Sequence, residues 1–259
     1  MVVPNVVLSR AHVSQLAKAV YAADDISNVC SLETTIDRAL LITVSDSYDT
    51  TALQIKIHPV VCNHQNGRVH LFTGILHGVL KNADTALPMV LHGETLQLLD
   101  PVTLLPLAAN HSIVAHGYVN TIPSDLNAGA SIVHVVPMLR SELHTNLINL
   151  CILSGIIDFE IDEKCVLRMS NFDKSFGGIT ITKQLNMLQQ KPIFSTSIVI
   201  KFIKVIVSQV SRGSCPTVNV TCRSNGSVTI AADFGKDVLA DMVMYKRRRQ
   251  PVQRHVLEV

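Results

Sequence analysis

The feature that most limits how this sequence can fold is a supersecondary unit that recurs along it. Each copy is an amphipathic helical stretch followed by two strand-like runs joined by a turn. The first helix is expected over 9–22, with Val13, Leu16, Ala17 and Val20 spaced i, i+3, i+4, i+7; strands follow at 28–33 and 40–45. The second helix, 72–83, gathers Phe72, Ile75, Leu76, Val79 and Leu80 on one face, and strands 88–92 and 96–99 follow through Gly93-Glu94. The third opens after Pro137, a residue suited to a first helical turn. Leu139, Leu143, Leu147 and Leu150 form its stripe, and strands 156–161 and 166–170 flank the polar turn Asp162-Glu163-Lys164. The fourth, 196–210, aligns Phe202, Ile203, Ile206, Val207 and Val210. Its hairpin, 217–223 and 227–233, turns at Asn225-Gly226, which supplies the positive φ of a tight turn.

Between the second and third units, residues 120–130 carry Pro, Gly, Asn and Ser without periodicity and form a connector. It leaves two halves of one plan: a domain at 1–118, a connector at 119–131, a domain at 132–245 and a tail at 246–259. Further strands at 52–58, 112–118, 132–136 and 178–183 complete the sheets of a duplicated α+β fold.

Composition decides which partners remain open. A hydrophobic fraction of 47% with 16% charged residues builds a packed core and excludes wholesale disorder. Net charge +2 excludes a polybasic tail as the main binding device, but not a local basic face. Opposite its apolar stripe the first helix shows Arg10, Ser14, Lys18 and Tyr21. The second shows Thr73, His77 and Lys81 beside Gly74 and Gly78, and the third Arg140, His144, Asn146 and Asn149. The fourth shows Lys201, Lys204, Ser208 and Ser211. Any surface helix has a solvated polar face. Four that share a shortage of acidic residues, with Glu142 the exception, suit contact with phosphates, which needs charge and donors but no base-edge geometry.

The first residues carry no basic-then-apolar leader pattern, and six scattered cysteines form no C-x-x-C pair. An intracellular protein with reduced thiols is expected. The most apolar run, 197–210, is interrupted by Lys201 and Lys204 and is too short to cross a bilayer, so no membrane partner is expected.

At this level the chain resembles the DNA sliding clamps of the proliferating cell nuclear antigen type. The resemblance rests on the order and spacing of elements over nearly the whole chain. It is best at 69–83, at 165–170 followed by Gly177-Gly178-Ile179-Thr180-Ile181, and at 198–245. It implies an α+β, duplicated two-domain DNA-clamp fold, with helices lining a ring and antiparallel sheets outside. It further implies a homotrimer threaded by double-stranded DNA, contacted without sequence preference by Arg10, Lys18, His77, Lys81, Arg140, Lys201 and Lys204. Copies would meet through Ile113 and Ala115 of one and Ile179 and Ile181 of the next, using up two strand edges. A pocket under the connector, with Ile122, Leu126, Val243, Met244 and Tyr245 in its wall, would take short helical peptides from a DNA polymerase and other replication or repair proteins; a clamp loader is a further partner.

The sequence also departs from the family: clamps of this type are strongly acidic overall, and Asn146 and Asn149 stand where basic residues are usual. Such departures fit a divergent clamp, viral or otherwise fast-evolving. The ending Lys246-Arg247-Arg248-Arg249 suits nuclear import or an extra nucleic-acid patch. Two other readings stay open: one subunit of a heteromeric checkpoint-type clamp, or a non-enzymatic viral structural or assembly protein. No nucleophile elbow, P-loop, dinucleotide fingerprint or H-E-x-x-H is present. Cys62-x-His64 with His58 and His70 lacks zinc-finger spacing. Neither enzyme activity, metal nor cofactor is expected.

Overall fold

The computed structural model describes residues 3–46, 50–64, 67–107, 114, 126–127, 129–150, 152, 155–173, 175, 177–185, 193–199 and 216–246. The first half runs β1 (Val6–Leu8), α1 (Arg10–Ile26), β2 (Val29–Thr34), β3 (Leu40–Ser45), β4 (Thr51–Ile57), β5 (Val61–Cys62), β6 (Arg68–Phe72), α2 (Thr73–Asn82), β7 (Leu87–His92) and β8 (Thr95–Leu98). The second runs β9 (Ile132–Leu139), α3 (Arg140–Leu150), β10 (Ile156–Ile161), β11 (Val166–Asp173), β12 (Gly177–Gln184), β13 (Phe194–Val199), β14 (Thr217–Arg223), β15 (Val228–Gly235) and β16 (Val238–Met244).

The duplication is explicit in the sheets. The order β6-β2-β3-β4 recurs as β13-β10-β11-β12, and β1-β7-β8 recurs as β9-β14-β15. Helix α1 follows β1 as α3 follows β9. All pairings are antiparallel. The halves are fused because β4 pairs with β16, from Val238 opposite Ile57 to Met244 opposite Thr51, giving one eight-stranded sheet. Alternation along these strands sends Leu53, Ile55 and Ile57 inward with Ala240, Met242 and Met244. Val13, Leu16, Val20 and Ala23 of α1 close the core from the other side. Ser9 caps α1 by accepting a hydrogen bond from the His12 N–H, while His12 Nδ1 accepts from the Ser9 N–H.

Several expectations are corrected. Helix α1 continues past Ala22 to Ile26, because Ala23 and Ile26 extend the buried stripe. Pro137 does not open a helix; it lies inside β9 opposite Asn219, tolerated because β9 ends the eight-stranded order. Leu139 belongs to β9 and is exposed, while Leu143, Leu147 and Leu150 are buried as expected. Ile75, assigned to the apolar face of α2, is also exposed. The start of the fourth expected helix is strand: 194–199 pairs with β10, with Phe194, Thr196 and Ile198 buried in alternation. The rest of that helix, 200–210, lies outside the described residues.

The hairpin at Asn225-Gly226 forms with a three-residue loop. The Arg223 N–H donates to the Ser227 carbonyl at 3.0 Å and the Gly226 N–H to the Arg223 carbonyl at 2.8 Å. Only Gly226 of the pair takes a left-handed φ, +80°, the signature of a type I turn closed by a glycine bulge. The Thr196 hydroxyl donates to the Gly226 carbonyl, and the Lys246 side chain lies over Gly226.

Candidate nucleic-acid interface

The polar faces of α1 and α2 lie side by side. The Tyr21 and His77 rings meet across the helix pair with centroids 5.3 Å apart. Gly74 makes the approach possible, since a Cβ there would sit 3.1 Å from Asp24 Oδ1. The Asp24 carboxylate thus stands near the N-terminus of α2, whose N-cap Phe72 has no capping side chain, where the helix dipole favours an anion. Arg10, Lys18 and Lys81 are exposed on this surface, and Lys18 donates to Gln15 at 3.2 Å. Lys81 occupies the last turn of α2, where a cation also stabilises the helix end.

The shortage of acidic residues on these faces is itself corrected. Asp24 and Asp25 are exposed in the last turn of α1. The signal was readable: Ile26 continues the stripe, which carries the two aspartates onto the helix. On α3 the exposed residues are Ser141, Thr145, Ile148 and Asn149, all uncharged, whereas Arg140 and His144 are half-buried. Glu142, the acidic exception, is held by Lys183 of β12 at 2.7 Å. Across the described helices four cations, Arg10, Lys18, Lys81 and Arg140, stand against three carboxylates. Lys201 and Lys204 lie outside the described residues.

His12 couples this surface to the second half of the chain. Burial pushes its imidazole pKa down; Asp237 of the β15–β16 turn pulls it up and Lys236 pushes it down. A lowered folded-state pKa means that the unfolded chain binds the proton more readily. The stabilising contribution is therefore complete above the ordinary imidazole value and is lost as pH falls below it. Burial lowers His70 in the same direction. Thermal unfolding at pH 7.5 and 5.5 should show wild type losing more stability than His12→Gln, which keeps an amide at the third capping-box position and does not titrate.

On the opposite face of the eight-stranded sheet, Leu126 of the connector packs over Ala52, Val243 and Tyr245. The Tyr245 hydroxyl donates to the Leu126 carbonyl at 3.1 Å. Leu126 and Val243 are consequently buried against each other, and the half-buried Tyr245 is what this cluster shows to solvent. Met244 has the opposite strand parity, is 1% exposed and belongs to the core, so it is no pocket wall. Ile122 lies outside the described residues.

The third place is the edge of β12. By the duplication β12 corresponds to β4, and registers through β11 and β3 match Ile179 with Leu53 and Ile181 with Ile55. Leu53 and Ile55 are buried where β4 meets β16; Ile179 and Ile181 are half-exposed. β12 ends the order β12-β11-β10-β13, paired on one side with β11. Its expected partner residues, Ile113 and Ala115, lie outside the described residues. Val114 between them bridges to Leu71 as Lys246, just past β16, bridges to Ile198.

No protein-family model and no curated protein matches the sequence. The structure, by contrast, matches solved structures in 369 chains. One comes from a complex of the C-terminal region of FEN-1 bound to A. fulgidus PCNA. It superposes with a TM-score of 0.67 over 95% of this chain and 99% of that one, at 11% identity. The chain has the DNA-clamp fold. Its α+β make-up, with few helices on extensive antiparallel sheet, is thereby accounted for across both halves.

Proposed function

We propose that this chain is a DNA sliding clamp, a non-enzymatic processivity factor whose copies close head to tail around duplex DNA and tether replication and repair proteins. The observation that carries this reading is the mismatch between two equivalent edges. β4 is completed inside the chain by β16, while β12, built to the same plan, ends its sheet among the described residues with two half-exposed isoleucines. A second copy offering its own counterpart of β16 satisfies that edge, and repeating the contact closes a ring rather than a pair. Three copies are expected, after the clamps that the chain resembles. Residues 1–118 and 132–245 are then two clamp domains joined by 119–131, with 246–259 a basic tail suited to nuclear import.

The weak positive balance of the described helix faces supports loose, sequence-independent contact with phosphates through Arg10, Lys18 and Lys81. Retention then comes from encirclement rather than affinity. The neighbouring A. fulgidus PCNA has a segment of FEN-1 bound to it. Here partner peptides are placed beside Tyr245 and Leu126, where the connector crosses the sheet.

The test is retention after a salt wash on nicked circular and linear DNA of equal length. The circle should keep several-fold more protein, because linear DNA lets a ring slide off its ends. Equal loss from both contradicts encirclement.

A further inference from the structure

Inside the chain, the turn after β15 comes down on the start of α1. Helix α1 contacts both β15 and β16, and the charges of Lys236 and Asp237 reach His12, one helical turn from the capping Ser9. By the duplication β8 is the counterpart of β15, and α3 the counterpart of α1. The turn after β8 is built quite differently. Its ends are closed by the Leu99–Pro106 bridge. Asp100 Oδ1 accepts from the Val102 and Thr103 N–H groups at 3.0 and 2.7 Å. The Leu104 N–H donates to the Asp100 carbonyl at 2.9 Å, and the Asp100 N–H to the Leu105 carbonyl at 2.8 Å. Locked in this way, the tip presents Val102 at 87% exposure and Leu105 at 62%, beside exposed Pro101 and Pro106. A rigid loop that holds apolar side chains in water loses little entropy when something covers them.

The matching oddity lies on α3. Leu139 precedes α3 as Ser9 precedes α1, yet leucine cannot cap a helix and here is 55% exposed. The two sides therefore differ together. Within the chain the polar turn Lys236-Asp237 lies near His12; the remaining turn carries an apolar tip, and the remaining helix start, Arg140-Ser141-Glu142, is preceded by an exposed leucine.

We propose that the Val102/Leu105 tip of one copy packs on Leu139 at the start of α3 of a second copy, alongside the β12 edge. The inference rests on the head-to-tail reading above and assigns it a contact. Polar against polar inside the chain and apolar against apolar between chains keeps the two equivalent junctions from exchanging partners, since a crossed pairing would set Asp237 against Leu139.

The test uses the full chain and sedimentation velocity over a dilution series. Val102→Ser with Leu105→Ser, Leu139→Ser, and all three together are compared with wild type. Each of the first two should weaken assembly about tenfold or more, from loss of buried apolar surface. The triple variant should be little worse than either, because each removes the same contact. Monomer melting temperature should stay unchanged, as these side chains are exposed in the single chain. Wild-type assembly that is indifferent to the tip variant, or losses that simply add, overturns this contact and leaves the ring standing. A wild type that stays monomeric at every concentration overturns the ring and the contact with it.

Discussion

Gly67→Ala lowers the stability of the folded chain by about 3 kcal/mol, by backbone strain and overpacking together. Gly67 has φ +145°, a region closed to alanine in practice. A Cβ there would sit 2.3 Å from the Gly93 carbonyl oxygen and 2.6 Å from the Gly93 Cα. Both obstacles are backbone, so no side-chain rotation relieves them. Gly93 is itself pinned at φ +58° in the turn between β7 and β8. Relief would have to move the β7–β8 turn or the β5–β6 connection, which joins one sheet to the other. Gly78→Ala is the control: it lies in α2 with nothing within 4 Å of its added methyl and should gain up to about 1 kcal/mol. Denaturant midpoints at unchanged slope measure both.

Ile179→Asp combined with Ile181→Asp turns an assembled wild type into monomers that still fold. These positions are half-exposed in the single chain and would be covered by a neighbouring strand, as their counterparts Leu53 and Ile55 are covered by β16. Losing that apolar burial and desolvating two carboxylates costs at least about 3 kcal/mol per junction, more than a hundredfold in dissociation constant. The same change at the buried counterpart, Ile55→Asp, should unfold the subunit instead. The contrast separates an edge that waits for a partner from one already filled. Mass photometry with circular dichroism reads both outcomes, and a double variant that keeps its assembly mass rules out β12 as the junction.

What the sequence disclosed follows the range of the forces involved. Strands 40–45, 156–161 and 217–223 stand where the local pattern puts them, because alternation and turn residues are local signals. The end of α1 was obscured by Asp24 and Asp25, which resemble a solvated stop but ride on a stripe that Ile26 completes. Pro137 suggests a helix start by a local rule, and pairing with Asn219 on a distant strand overrides it. At 194–199 the serines and threonines of a strand run into the apolar residues of the expected helix, and no local mark separates the two periods. Met244, expected in the pocket wall, faces the core because strand parity is settled by the partner, and β4 lies nearly two hundred residues away along the chain. The fusion of the halves and the buried state of Leu126 both depend on such distant pairings.

The seam between β4 and β16 joins seven facing residue pairs in the middle of one sheet. A load drawn along those strands meets their hydrogen bonds in shear, all at once, rather than one after another as in unzipping. The seam is thus a stiff part of the chain, and Leu126 of the connector packs onto it. In the ring proposed above, an opening that admits DNA would yield at a junction between copies, where the ladder has to be formed anew each time.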